Sequence, residues 1–280
     1  IGYLTSTDLL TWEKEGNGIF FLNNNDNGTL DITSNLECPT LLYFNGFWYL
    51  TFSDQWPTRT THYLYTDNLE NEFIKPTLDV FDGSGLYAGK IAASSDQIKL
   101  MGWVSYDFNR NNEFGWGGNF IAHDLKQREN GELYVEIVKE IDEKISNLQP
   151  LNTIDVYTTI NKNQEIVFNK EQLEYVVFDE LMGVNKITGT LKINKLNNNF
   201  GIMFDYRLNQ SSYFYELDYL NKQMQFNRGD ILSDDLFKYT MNDLYINENE
   251  VDFTLLFEER TEAAGSIVTL YINNQMALTA

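Results

Sequence analysis

Helical periodicity is almost absent from this 280-residue sequence. No stretch repeats apolar residues at three- and four-residue spacing for long enough to build an amphipathic helix. Short runs rich in Tyr, Phe, Val, Ile and Thr recur instead, punctuated by Asn, Asp and Gly. β-Branched and aromatic side chains suit a pleated, half-buried surface, and the punctuating residues suit tight turns. The pattern therefore constrains the chain to an all-β fold. With 42% hydrophobic and 15% aromatic residues it has material for a sizeable core, which excludes disorder for the bulk of the chain.

Two kinds of strand follow one another. Residues 41–53 read as two strands around Asn45-Gly46, the strongest short hairpin signal. A third strand is expected over Thr61–Thr66, and Ile98–Val104 is apolar enough to be buried on both faces. All five tryptophans lie at or before Trp116, among glycine-rich turns. These short strands and tight turns fit the blades of a propeller. After Ile141–Leu151 the strands alternate cleanly, with Val251, Phe253, Leu255 and Phe257 on one face and Tyr213, Tyr215, Leu217 and Tyr219 on another. One buried and one exposed side per strand is the pattern of a two-sheet sandwich. With Pro150 as linker, the expected division is 1–148 and 149–280. Both ends, Ile1-Gly2-Tyr3-Leu4 and Met276-Ala277-Leu278, read like the inside of strands, so the chain is expected to be cut from a longer one.

A formal charge of −21 excludes the basic patch that displaces phosphate counterions, so nucleic acid is not an expected partner. No cluster of Lys or Arg suits an anionic membrane, and no apolar run approaches a span. The single cysteine, Cys38, excludes an internal disulfide framework and reads as a small packing residue, and it leaves the compartment open. His62 and His123 have no third ligand at metal-binding spacing and read as structural, so neither metal nor cofactor is expected. A neutral, sugar-like substrate is compatible with this charge and with the aromatic content.

Three segments carry candidate chemistry. Glu37-Cys38-Pro39 sits at the mouth of a strand, where a glutamate beside a proline can be held rigidly. Glycoside cleavage needs one carboxyl group to protonate the leaving oxygen, and Glu37 fits; taken alone, the motif favours a turn residue over a catalytic one by about four to one. Between Phe81 and Lys90 lies a glycine-rich stretch in which Asp82, Tyr87 and Lys90 offer donors and acceptors for sugar hydroxyls. In isolation that stretch reads as an ordinary inter-strand loop. Gly102-Trp103-Val104 and Gly115-Trp116-Gly117-Gly118-Asn119 supply Trp103 and Trp116, either as sugar-stacking surfaces or as core.

Order and spacing lift these segments together. Thr5 through Glu13 (Thr-Ser-Thr-Asp-Leu-Leu-Thr-Trp-Glu), then Glu37-Cys38-Pro39, then Asp82 to Lys90 with its Tyr87-Ala88, then Met101-Gly102-Trp103, then Trp116-Gly117-Gly118-Asn119 occur in sequence. This succession resembles glycoside hydrolase family 32, the invertases, levanases and inulinases. The resemblance is strong over residues 1 to about 145 and general beyond.

The resemblance implies an all-β fold, part of a five-bladed β-propeller followed by a C-terminal β-sandwich, and retaining hydrolysis of sucrose or fructans. It makes Glu37 the acid/base and Asp82, Tyr87, Lys90, Trp103 and Trp116 substrate-binding. The family's nucleophile and transition-state stabiliser belong to Asn-Asp-Pro-Asn and Arg-Asp-Pro motifs, and neither occurs here. The 280 residues alone are therefore expected to be inactive, unless another carboxylate such as Asp31 or Asp54 replaces the nucleophile. The alternatives are a non-catalytic sugar-binding propeller or a related propeller glycosidase acting on arabinose polymers. These features specify no oligomeric state.

Overall fold

The structure is a computed structural model, and it describes residues 1–21, 35–54, 59–105, 117–145, 147–161, 165–169, 173–193, 199–204, 212–229, 237–241, 249–259 and 266–280. It is all-β: among the described residues the one α-helix, α1 (Lys139–Asp142), has four residues. No helix there is long and apolar enough to cross a membrane.

The N-terminal residues form an irregular hairpin held by bridges Gly2 to Ile19 and Thr5 to Glu13. Strands β1 (Leu36–Phe44), β2 (Phe47–Asp54) and β3 (Thr61–Thr66) follow as an antiparallel meander. The β1–β2 turn is where the sequence puts it. Asn45 (φ 44°) and Gly46 (φ 90°) both take positive φ, as a two-residue hairpin matching the strand twist requires. A second meander contains β4 (Leu86–Ala93), β5 (Ile98–Ser105), β6 (Gly118–Gln127) and β7 (Leu133–Glu136). Its inner strand β5 buries Ile98, Leu100 and Val104 but only half-buries the residues between, so one face is less covered than its apolar sequence led one to expect.

Beyond α1, β8 (Thr153–Tyr157), β9 (Thr159–Ile160), β10 (Ile166–Val167) and β11 (Tyr175–Phe178) form two small ladders. Then come β12 (Val184–Lys192), β13 (Phe200–Phe204), β14 (Ser212–Asp218), β15 (Gln223–Gly229), β16 (Phe237–Met241), β17 (Glu250–Glu259), β18 (Ser266–Ile272) and β19 (Met276–Thr279). They make two four-stranded sheets, ordered β12-β17-β18-β19 and β13-β14-β15-β16. The alternating residues read from the sequence explain their packing. Tyr215, Leu217, Met224 and Phe226 of one sheet share a core with Val251, Leu255, Leu270 and Leu278 of the other. Each such fully buried side chain contributes roughly 1.5–3 kcal/mol of transfer free energy.

The core of the first half does not stop at the linker. Tyr49, Tyr63, Leu86, Leu100 and Val135 pack in one cluster with Leu256, Ile267, Tyr271 and Ala277. Buried polar groups also stitch the sheets together. Tyr49 Oη donates to the Gly131 carbonyl (2.7 Å), and Tyr63 Oη accepts from the Leu133 amide (2.9 Å). The edge of β19 lies under the Phe81–Leu86 loop, so the last strand of the chain supports the loop that feeds β4.

Candidate active site

Glu37 sits one residue into β1, opposite Ser53 of β2, and the ladder slips between Glu37 and Thr40. The slip is a β-bulge: Cys38 takes φ 52°, a left-handed conformation uncommon outside glycine, and Pro39 has no N–H to give to a ladder. Strand β4 carries a matching irregularity between Tyr87 and Lys90, with Ala88 at φ 55°. The two bulges face each other, and Tyr87 Oη donates to Glu37 Oε2 at 2.6 Å. Lys90 Nζ, exposed to solvent, donates to the Pro39 carbonyl at 2.8 Å and ties one bulge to the other.

Glycines make this close approach possible. A Cβ on Gly89 would lie 2.6 Å from Thr61 Cγ2, and one on Gly102 would lie 3.0 Å from the Tyr87 carbonyl. The Gly89 amide uses that proximity to donate to Thr61 Oγ1 (3.1 Å).

Around Tyr87 the site is aromatic and cationic. Trp103, its cross-strand partner, meets the Tyr87 ring edge-on at 5.6 Å. The buried Arg59 guanidinium lies over both rings, 5.2 Å from Tyr87 and 5.6 Å from Trp103. Burial, followed by the hydrogen bond to Glu37, pushes the Tyr87 hydroxyl well above the usual tyrosine range, so it remains a donor at any working pH.

The structure gives Asp82 a different task from the expected one. Its carboxylate is buried and engaged on every side: Oδ1 accepts from the Gly83 amide (2.6 Å) and the Thr279 amide (2.8 Å), and Oδ2 accepts from Thr279 Oγ1 (2.5 Å) and meets His123 Nε2 (2.9 Å). It has no oxygen left for a sugar hydroxyl; it fastens β19 to the loop. His123 completes the clamp through Nδ1 to Tyr271 Oη at 3.0 Å, which gives this histidine a structural place. Asp54 is likewise committed, accepting from the Thr60 amide (2.7 Å) and lying 3.4 Å from His62, so it is not free to attack an anomeric carbon. His62 sits between Asp54 and Asp79, 2.9 Å from the latter. Trp116 and Asp31 lie outside the described residues. Among the described residues no group of three His, Cys, Asp or Glu is arranged to hold a metal ion.

The structure thus gathers Glu37, Tyr87, Lys90 and Trp103 and sends Asp82 elsewhere. It adds Arg59, which no motif marks. The only sequence signal for Arg59 is an arginine between two threonines just before a strand, a pattern too common to single out.

No family model matches the sequence, and no curated protein matches it. Solved structures do. The Bombyx mori GH32 β-fructofuranosidase BmSUC1 superposes with a TM-score of 0.62 at 14% identity, over 99% of this chain and 54% of that one. A point mutant of that enzyme in complex with sucrose gives 0.61 at 14% identity, with the same coverage. The chain spans about half the length of the structures it matches, and what it shares with them is their fold.

Proposed function

We propose that this chain is the acid/base-bearing portion of a retaining β-fructosidase, part of a five-bladed propeller over 1–148 joined to a β-sandwich over 149–280. The observation that carries the reading is Glu37 itself. Its carboxyl stands at a strained bulge and is gripped by the Tyr87 hydroxyl at 2.6 Å, within a fold like that of a GH32 enzyme. A structurally similar enzyme has been captured with sucrose, which supports sucrose as substrate; a fructan rests on the resemblance alone.

In the proposed reaction Glu37 protonates the leaving oxygen while an aspartate attacks the anomeric carbon, giving a fructosyl–enzyme ester. Glu37, now a carboxylate, takes a proton from water, and the hydroxide cleaves that ester. Such a pair of carboxyl groups stands roughly 5–5.5 Å apart across the bond. Asp54 and Asp82 do not serve as the partner, because their hydrogen bonds commit both to the scaffold. The nucleophile and the stabilising carboxylate then come from family motifs that this sequence does not contain. Lys90, bonded to the Pro39 carbonyl, and Trp103, packed on Tyr87, are proposed to hold the sugar; Trp116 joins them by resemblance alone.

The test is Glu37→Gln in the complete enzyme. It should lower turnover on sucrose or fructan at least about a hundredfold, the scale of acid–base assistance, with little change in KM. Undiminished hydrolysis would remove the assignment.

A further inference from the structure

Tyr87 was expected to touch substrate, but only 2% of its surface is exposed. A side chain that covered offers almost nothing to a sugar, so its hydroxyl on Glu37 calls for another explanation. Two independent observations point the same way. Neighbouring strands each break register beside a non-glycine residue at positive φ, Cys38 on β1 and Ala88 on β4. Bulges re-aim side chains, and these two turn Glu37 and Tyr87 toward one another. The ring is then immobilised by Trp103 at its edge and Arg59 over its face. The loop leading to it is pinned by Asp82, whose carboxylate is bonded to Thr279 and His123.

We propose that Tyr87 is the positioning residue for Glu37, resting on the acid/base role proposed above. Its hydroxyl occupies Oε2. With Oε2 held by that bond, the transferable proton is carried on Oε1. Because the Tyr87 hydroxyl stays protonated, it donates to the carboxylate formed after the first step and steadies Glu37 for its second role as base. The last strand of the chain takes part indirectly, since Thr279 fixes the loop from which Tyr87 extends.

Two arms test this. In the first, the Cζ carbon of Tyr87 is followed by carbon-13 NMR in the 280-residue chain, assigned with Tyr87→Phe. The signal should change with pH in the wild-type chain and stay flat in Glu37→Gln. A flat signal in the wild-type chain overturns the proposal, and this arm needs no activity and no folded Tyr87 variant beyond the assignment. In the second, Tyr87→Phe in the complete enzyme should lower kcat about ten- to a hundredfold with KM within about twofold. A raised KM with unchanged kcat would make Tyr87 a substrate ligand and overturn the proposal. If Glu37→Gln leaves hydrolysis intact while the Cζ signal still titrates, the fructosidase reading fails and the Tyr87–Glu37 coupling stands.

Discussion

Thr279→Val probes the clamp between the last strand and the Phe81–Leu86 loop. Thr279 gives Asp82 two hydrogen bonds, from its amide (2.8 Å) and its hydroxyl (2.5 Å). Valine keeps the shape and the amide but removes the hydroxyl, leaving Asp82 Oδ2 with His123 and taking from Thr269 Oγ1 its partner at 3.1 Å. A hydrogen bond to a charged group contributes about 1.5–3 kcal/mol, and the site is fully buried, so water does not replace it. The loss should be about 2 kcal/mol. Urea unfolding with a slope of about 3 kcal/mol/M would place the midpoint roughly 0.7 M lower, with the slope unchanged. In a cycle with Asp82→Asn, the two changes should couple by about 1 kcal/mol or more, because they share one contact. An unchanged midpoint would refute the reasoning and would suit an Asp82 that faces solvent and sugar.

Two further outcomes follow from the same network and from the glycines that let the bulges meet. Burial alone would depress the His62 pKa, but hydrogen bonds to Asp54 and Asp79 outweigh it and raise the value to about 9, above the unfolded value of 6.5. The stabilisation is therefore complete below about pH 6.5 and lost as pH rises through 9. It amounts to about 3 kcal/mol at 1.36 kcal/mol per unit. Urea midpoints at several pH values should fall over that window and flatten in His62→Gln; a rise would contradict the sign. Gly89→Ala would press a methyl to 2.6 Å from Thr61 Cγ2 and should cost about 1–3 kcal/mol, read as a lower Tm. A neutral result would show that the two strands are not held that close.

Local pattern revealed much of the architecture. Asn45-Gly46 announces its hairpin because only residues tolerant of positive φ close a two-residue turn. The alternation in β17 shows its buried face because strand geometry has a period of two. Glu37 drew notice through its motif, and the structure sets it against Tyr87. What the sequence could not disclose were contacts made at long range. Asp82 sits among glycines, as a ligand-binding residue would, yet its partner Thr279 is 197 positions away. Nothing near Asp82 hints that a strand from the far end of the chain covers it. Arg59 was silent for the same reason, since its position over Tyr87 and Trp103 comes from two strands that follow it. Likewise the division at residue 148 describes the change in strand character, whereas the core that joins Leu100 to Tyr271 crosses it.

The central claim is that Glu37 supplies the proton to the leaving group, and leaving-group dependence tests it most directly. Glu37→Gln in the complete enzyme should be assayed on sucrose and on a fructosyl donor whose leaving group needs no protonation, such as the fluoride. If Glu37 is the acid, turnover of sucrose falls at least about a hundredfold while formation of the fructosyl–enzyme from the fluoride is largely preserved. An equal loss on both donors would contradict the account, since it would make Glu37 important for binding or folding and leave the proton to another group.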